Sequence, residues 1–187
     1  MQQENTEHLH PERRSAPDWQ ALQKCVTEAG IMNMQEFTDA LANWQSQQTT
    51  PTNTLPPYVL LALPEHPPTA AMRWDWESRR ADEFVTWCMT SVQNRFGVHW
   101  HVEYEDEDAS LGPHYLRLIL NGQQERCDWH YLNRSHWMGA FCTIADRLLG
   151  PVGLTALSLE TGWFDTVVVF CRKSHAEEVL HWFPEAE

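Results

Sequence analysis

The sequence predicts an α+β fold, in which helices pack on one face of a mostly antiparallel sheet and a helical hairpin precedes that sheet. Apolar stripes with helical spacing are interspersed along the chain with short strand-like segments. An Asn-Gly pair separates two of these segments, which is typical of a tight antiparallel hairpin. The 187 residues, 42% of them hydrophobic, are enough to build the core of about one domain.

Composition divides the chain into four predicted parts. Residues 1–17 are polar and predict a flexible tail. Residues 18–48 predict a helical hairpin arm. Residues 49–57 (TTPTNTLPP) cannot continue a helix and predict a linker. Residues 58–187 contain the remaining apolar segments and predict an α+β sandwich domain.

The hairpin arm carries the usual signals of helix ends. Asp18 is placed to cap the first helix, and Gly30 is placed to end it. The second helix starts at Asn33, and Glu36 three residues later completes a capping box. We expect this arm either to pack on its own sheet domain or to exchange between two copies in a homo-oligomer.

Periodicity gives the order of elements in the sheet domain. An apolar run predicts a strand buried on both faces, and clean alternation predicts half-buried strands. A helix is expected to start at Ser135, and Ser174 with Glu177 predicts a capping box for the last helix. The expected strands are 58–63, 98–105, 114–120, 123–131, 154–160 and 163–171, and the expected helices are 78–96, 135–149 and 174–183.

A two-residue turn at Asn121 and Gly122 fixes the register of the flanking strands. Arg117 then lies opposite Arg126, and like charges in that position are unfavourable unless acidic groups lie beside them. Glu103 and Glu105 of the preceding strand are expected to supply those groups. The same register pairs Leu118 with Glu125, Leu116 with Cys127, and His114 with Trp129.

The charge balance narrows the classes of partner. Thirteen Lys and Arg face twenty-six Asp and Glu, so the net charge is −13. This negative charge disfavours nucleic acid as a partner, because binding phosphates requires a basic surface, and it favours a basic protein.

No apolar run approaches the roughly 20 residues of a membrane span. The polar N-terminus and five cysteines without a CxxC pair predict a cytoplasmic protein. Without a phosphate-binding glycine loop or a nucleophile elbow, no cofactor is expected.

Two groups of residues are candidates for partner binding. The first is an acidic run whose negative potential would attract a basic surface: Glu103, Glu105, Asp106, Glu107 and Asp108. The second is Trp74 and Trp76, which fall on no clear apolar stripe and are flanked by charged residues, as interface anchors often are. The leading hypothesis is therefore a non-enzymatic binding protein.

The alternative is a metal-dependent enzyme. His99, His101 and Glu105 share one face of the predicted strand, and two imidazoles with a carboxylate are suitable ligands for a transition metal. Their spacing is similar to part of the first cupin motif, although no second motif follows. Metal analysis of the purified protein would separate the two hypotheses.

The stretch 115–180 resembles a pattern found in small acidic bacterial proteins, including the immunity proteins encoded beside polymorphic toxins. The similar segments are the hairpin YLRLILNGQQERCDWHY, the helix NRSHWMGAFCTIADRLLG, the strand pair SLETGWFDTVVVFC and the short helix SHAEEVL. The resemblance implies a cytoplasmic protein that neutralises a toxin by covering its active site, with the toxin as the basic partner. It transfers no individual functional residue.

Overall fold

The computed structural model describes residues 18–47, 70–74, 81–106, 114–129, 134–160 and 166–183. These ranges form an α+β fold with antiparallel strands and an N-terminal helical hairpin, as the sequence predicts. The predicted tail, linker and strand over 58–63 lie outside them. In chain order the elements are α1 (Trp19–Glu28), α2 (Met34–Gln47), β1 (Ala71–Trp74), α3 (Ala81–Phe96), β2 (His101–Asp106), β3 (His114–Leu120), β4 (Gln123–Trp129), α4 (Arg134–Leu149), β5 (Leu154–Glu160), β6 (Thr166–Arg172) and α5 (Ala176–Trp182).

The strands form two three-stranded sheets where the sequence suggested one. The first has the order β1-β6-β5, and the second has the order β2-β3-β4. Every pairing is antiparallel. Strand β1, which the periodicity did not predict, pairs with β6, so that Ala71 lies opposite Val169.

The first sheet is buried on both faces. Val167, Val169 and Cys171 of β6 belong to a hydrophobic cluster that includes α1, α2 and α5. Val168 and Phe170, which point the other way, belong to a second cluster with α3 and α4. The continuous apolar run TVVVFC is typical of such a two-sided position. Helices α3 and α4 therefore share one face, and the last helix lies with the hairpin on the opposite face.

The second sheet buries one face only. Val102, Leu116 and Leu118 are at most 1% exposed and pack in the same cluster as α3 and α4. Trp100, just before β2, is buried there too, and its indole Nε1 donates to the Cys88 carbonyl oxygen at 3.0 Å. This bond satisfies a buried donor and orients the entry to β2 against α3.

The predicted caps of the helical hairpin are confirmed. The Asp18 side chain accepts from the backbone N–H groups of Gln20 and Ala21, both at 3.1 Å. Asn33 and Glu36 form a reciprocal capping box, in which each side chain accepts from the other residue's backbone N–H at 2.9 and 2.7 Å. These bonds satisfy helix-end donors that have no partner within the helix.

The hairpin packs on its own chain. Leu22, Cys25 and Phe37 are buried against the first sheet. Backbone bonds continue the contact, with Ala70 N–H donating to the Ile31 carbonyl at 3.2 Å and Arg172 N–H donating to the Ala29 carbonyl at 2.9 Å. Exchange of the arm between two copies would therefore have to replace these contacts with equivalent ones.

Two predicted helix starts are wrong in detail. Helix α4 begins at Arg134, so Ser135 lies in its first turn and not at its cap. The capping box of Ser174 and Glu177 does not form, because a 3-10 turn (Lys173–His175) precedes α5 and the Ser174 hydroxyl lies 3.0 Å from His175 Nδ1. In the described ranges no helix combines the length and apolar character needed to cross a membrane.

Candidate docking face of the second sheet

Alternation along the second sheet turns one set of side chains away from the core. We call this set the open face: His101, Glu103, Glu105, Tyr115, Arg117, Ile119, Gln124 and Arg126. Its members are half-buried or exposed, whereas their neighbours along each strand, such as Val102, Leu116 and Cys127, are buried. The period of two is what separates a core side from a surface side.

The predicted register and its electrostatic consequence are both confirmed. Arg117 lies opposite Arg126 on one side and opposite Glu103 on the other. Its guanidinium forms an ion pair with Glu105 and lies 3.5 Å from a carboxylate oxygen of Glu103. Two carboxylates thus compensate the like-charge pair, as the strand spacing required. The predicted pairing of Leu118 with Glu125, of Leu116 with Cys127 and of His114 with Trp129 is also observed.

The network extends along β2 through a histidine. His101 Nε2 lies 2.8 Å from the second carboxylate oxygen of Glu103. The exposed fractions of these side chains are 56% for His101, 41% for Arg117, 40% for Glu103 and 29% for Glu105. The groups therefore hold one another in place while each keeps part of its surface in water.

A stacked pair on the open face was not predicted from the sequence. The Arg126 guanidinium carbon lies 3.1 Å above the centroid of the Tyr115 ring. The two residues are diagonal neighbours, since Arg126 pairs with Arg117 two positions along β3 from Tyr115. A Tyr and an Arg in diagonal positions of a predicted hairpin could have indicated this contact.

The remaining residues predicted to bind a partner lie in different parts of the chain. Asp106 ends β2, where its backbone pairs with His114. Trp74 ends β1 in the other sheet, where its backbone pairs with Thr166. Trp76, Glu107 and Asp108 lie outside the described residues. Trp74 and the described residues of the acidic run therefore lie in different sheets.

The alternative metal ligands are not brought together. His99 is exposed and precedes β2, whereas His101 and Glu105 lie on the strand. The carboxylate of Glu105 contacts Arg117, and His101 contacts Glu103. Within the described ranges, the one group of three such side chains whose ligand atoms lie within 4.8 Å of one another is elsewhere, at Glu28, His175 and Glu178.

The cysteines are placed as core residues. All five are buried free thiols. Burial raises the pKa of Cys88 well above its usual value, and it raises the pKa of Cys171 to about 12. Because the thiolate is the nucleophilic form, thiols in such surroundings are poor nucleophiles.

Comparisons of the chain with protein-family models, with curated proteins and with solved structures each found no match.

Proposed function

We propose that this chain is a non-enzymatic binding protein that docks a basic protein partner on the open face. The observation that supports the proposal is the state of this face: its charged groups are already fixed by one another, yet they are 29–56% exposed. A surface whose side chains are ordered before binding loses less conformational entropy when a partner arrives. Such preorganisation favours a docking role.

The charge of the molecule supports a basic partner. The net charge of −13 creates a negative field that accelerates encounter with a positive surface. On the open face, the single guanidinium of Arg117 faces the two carboxylates of Glu103 and Glu105. Because Arg126 lies beside Arg117, the charges of the open face balance, and the negative charge next to it comes from Asp106 at the end of β2 and from Glu107 and Asp108, which follow it in the sequence.

The stacked pair would supply the centre of the interface. Tyr and Arg are among the residues that contribute most binding energy at protein interfaces, since they offer a large contact area together with hydrogen bonds. Tyr115 and Arg126 stack on each other, and Ile119 adds an apolar group on the same strand face. Under the resemblance to immunity proteins, the basic partner would be a toxin whose active site this face covers.

Site-specific photo-cross-linking in the native host tests the docking face directly. A benzophenone amino acid replaces Gln124, which is exposed on the open face, or Asp39, which is exposed on α2. We expect a basic protein to be cross-linked from position 124 and not from position 39. Equal cross-linking from both positions, or an acidic protein captured at position 124, would contradict the proposal.

Binding measurements with the captured partner then test the chemistry. We expect Tyr115→Ala or Arg126→Ala to weaken binding by at least about tenfold. Charge reversal of three acidic residues at the end of β2 should weaken it further, whereas the same change of net charge elsewhere should have a smaller effect. The test variant changes Glu105, Asp106 and Glu107 to Lys. The matched control changes the exposed residues Asp39, Glu83 and Glu177 to Lys. Equal losses in both triples would show that only overall charge matters, and affinity that is independent of salt would exclude a basic partner.

A further inference from the structure

A second polar cluster lies where α1 ends and α5 begins. Glu28 is the last residue of α1, His175 ends the 3-10 turn, and Glu178 lies in the first turn of α5. One ligand atom from each side chain lies within 4.8 Å of the other two, and His175 Nε2 is 4.0 Å from Glu28 Oε2. From this juxtaposition we propose that Glu28, His175 and Glu178 bind Zn²⁺, or a divalent transition metal of similar size.

The donor set selects the class of metal. One imidazole nitrogen with two carboxylate oxygens suits Zn²⁺ and neighbouring transition metals, whereas Mg²⁺ and Ca²⁺ prefer oxygen ligands alone. Three protein ligands would leave a position for water in a tetrahedral shell. The three residues come from two segments far apart in sequence, the end of α1 and the turn leading into α5, so this site differs from a run of acidic residues along one helix.

A modest closure would complete the geometry. With metal–ligand distances of about 2.1 Å, neighbouring ligand atoms in a tetrahedral shell are roughly 3.4 Å apart. The pair of His175 and Glu28 at 4.0 Å must therefore close by about 0.6 Å, and the other pairs, within 4.8 Å, by at most about 1.4 Å. Glu28 is 47% exposed and His175 is 27% exposed, which leaves both side chains room to move. The Ser174 hydroxyl lies 3.0 Å from His175 Nδ1. In metal-binding histidines, a hydrogen bond at one ring nitrogen orients the ring so that the other, here Nε2, faces the metal.

The charges around the cluster are two carboxylates and one guanidinium, since Arg172 donates to the Glu28 carbonyl oxygen at 2.7 Å. The thiol of Cys25, one turn before Glu28 on α1, has its pKa raised to about 12 by burial and then by the charges of Glu178 and Glu28. Burial is the main cause of this shift, and the carboxylates of Glu178 and Glu28 add to it because negative charge opposes formation of the thiolate. A divalent ion between the carboxylates would neutralise them.

The metal would link two parts of the fold. Helix α1 belongs to the N-terminal hairpin, and α5 is the last helix of the sheet domain. Both lie on the same buried face of the first sheet, in one hydrophobic cluster. Zinc would therefore clamp the hairpin onto its own chain and disfavour exchange of the arm between copies. This inference is independent of the docking proposal.

Titration of the full chain with zinc chloride tests the site. We expect calorimetry to give one bound Zn²⁺ per chain. Millimolar Mg²⁺ in the buffer should not change this stoichiometry or the affinity for zinc. At a free zinc concentration ten times Kd, the unfolding equilibrium constant should fall about eleven-fold, which for this length raises Tm by about 3–6 °C. Hydrogen exchange should slow in α1 and α5. Absence of zinc binding, or an equal Tm rise with Mg²⁺, would overturn the proposal.

Matched variants distinguish this site from adventitious binding, which matters because the chain has ten histidines. His175→Ala should abolish the stoichiometric binding and the Tm rise, and replacement of His181, an exposed histidine of α5, by Ala should leave both unchanged. If His175→Ala does not fold, the exposed Glu178→Gln provides the same test and should weaken binding at least tenfold. Equal zinc binding by the wild type and by the foldable ligand variant would refute the site.

Discussion

Glu36 connects the helical hairpin to the rest of the molecule, and its removal gives the sharpest test of that packing. Its carboxylate has two contacts: one oxygen accepts from the backbone N–H of Asn33 at 2.7 Å, and the other forms an ion pair with Arg95 of α3. The side chains of Arg95 and Glu36 are 11% and 23% exposed, so the pair is largely removed from water. We predict that Glu36→Ala destabilises both the cap of α2 and the contact of the hairpin with α3.

The magnitude follows from these two contacts. Loss of a capping interaction costs about 0.5–2 kcal/mol. Loss of a charge-assisted hydrogen bond at a mostly buried guanidinium costs about 1–3 kcal/mol. Together they give a decrease of about 2–4 kcal/mol in the free energy of unfolding, and for this chain length Tm should fall by roughly 5–15 °C. Glu36→Gln keeps an acceptor for the cap but removes the charge, so about half of the loss is expected.

Urea unfolding followed by circular dichroism measures the effect, with Gln35→Ala as the control. Gln35 is exposed on the same turn of α2, and its substitution should change stability by less than about 0.5 kcal/mol. A double-mutant cycle with Arg95→Met should give a coupling energy of about 1–2 kcal/mol. If Glu36→Ala matches Gln35→Ala, or if the coupling is near zero, the hairpin is not held by this ion pair in solution.

Three further predictions concern the core, the turn and the thiols, and each is measured by chemical unfolding. Leu118→Ala, at a fully buried position, should cost about 2–5 kcal/mol. Gly122→Ala should cost about 1–2 kcal/mol; its added methyl would meet no atom within 4 Å, so the cost comes from the φ of +80°, which disfavours a side chain. Gly139→Ala should instead stabilise by about 0.5–1 kcal/mol, because Gly139 lies within α4 and its added methyl also meets no atom within 4 Å. Burial raises the pKa of Cys25 and Cys171 from 9.0 to about 12, so the unfolded thiols ionise first and stability should fall as the pH rises from 9 toward 12. Replacing both cysteines by Ala should reduce that decline in part, because Cys88 with its raised pKa remains, and an unchanged slope would contradict the assignment.

The parts of the fold that the sequence predicted well are those set by neighbouring residues. Asn121 with φ +51° and Gly122 with φ +80° adopt the left-handed conformations of a tight turn, so the chain reverses in two residues and the register follows. The capping box of Asn33 and Glu36 needs only four residues in sequence. In both cases the competing conformations are few, and local chemistry decides between them.

The parts that the sequence did not predict depend on contacts between distant segments. Strand β1 exists because β6 offers it an edge, with Trp74 paired to Thr166, and nothing in its four residues indicates that partner. The capping box at Ser174 failed for a related reason. The chain leaves β6 through a 3-10 turn, and the Ser174 hydroxyl contacts His175 in place of a helix N–H. The grouping of Glu28 with His175 likewise requires the hairpin to be docked.

The two sheets differ in how many of their faces are buried. Strand β6 is apolar at every central position, and each of its faces meets a layer of helices, so the side chains from Val167 to Cys171 are buried. Strand β3 alternates, with Leu116 and Leu118 in the core and Tyr115 and Arg117 on the other side. The docking surface that we propose therefore uses β2, β3 and β4, whose charged side chains on the open face compensate one another. This is why loss of binding on substitution of Tyr115 or Arg126, with the fold retained, is the decisive result for the open face.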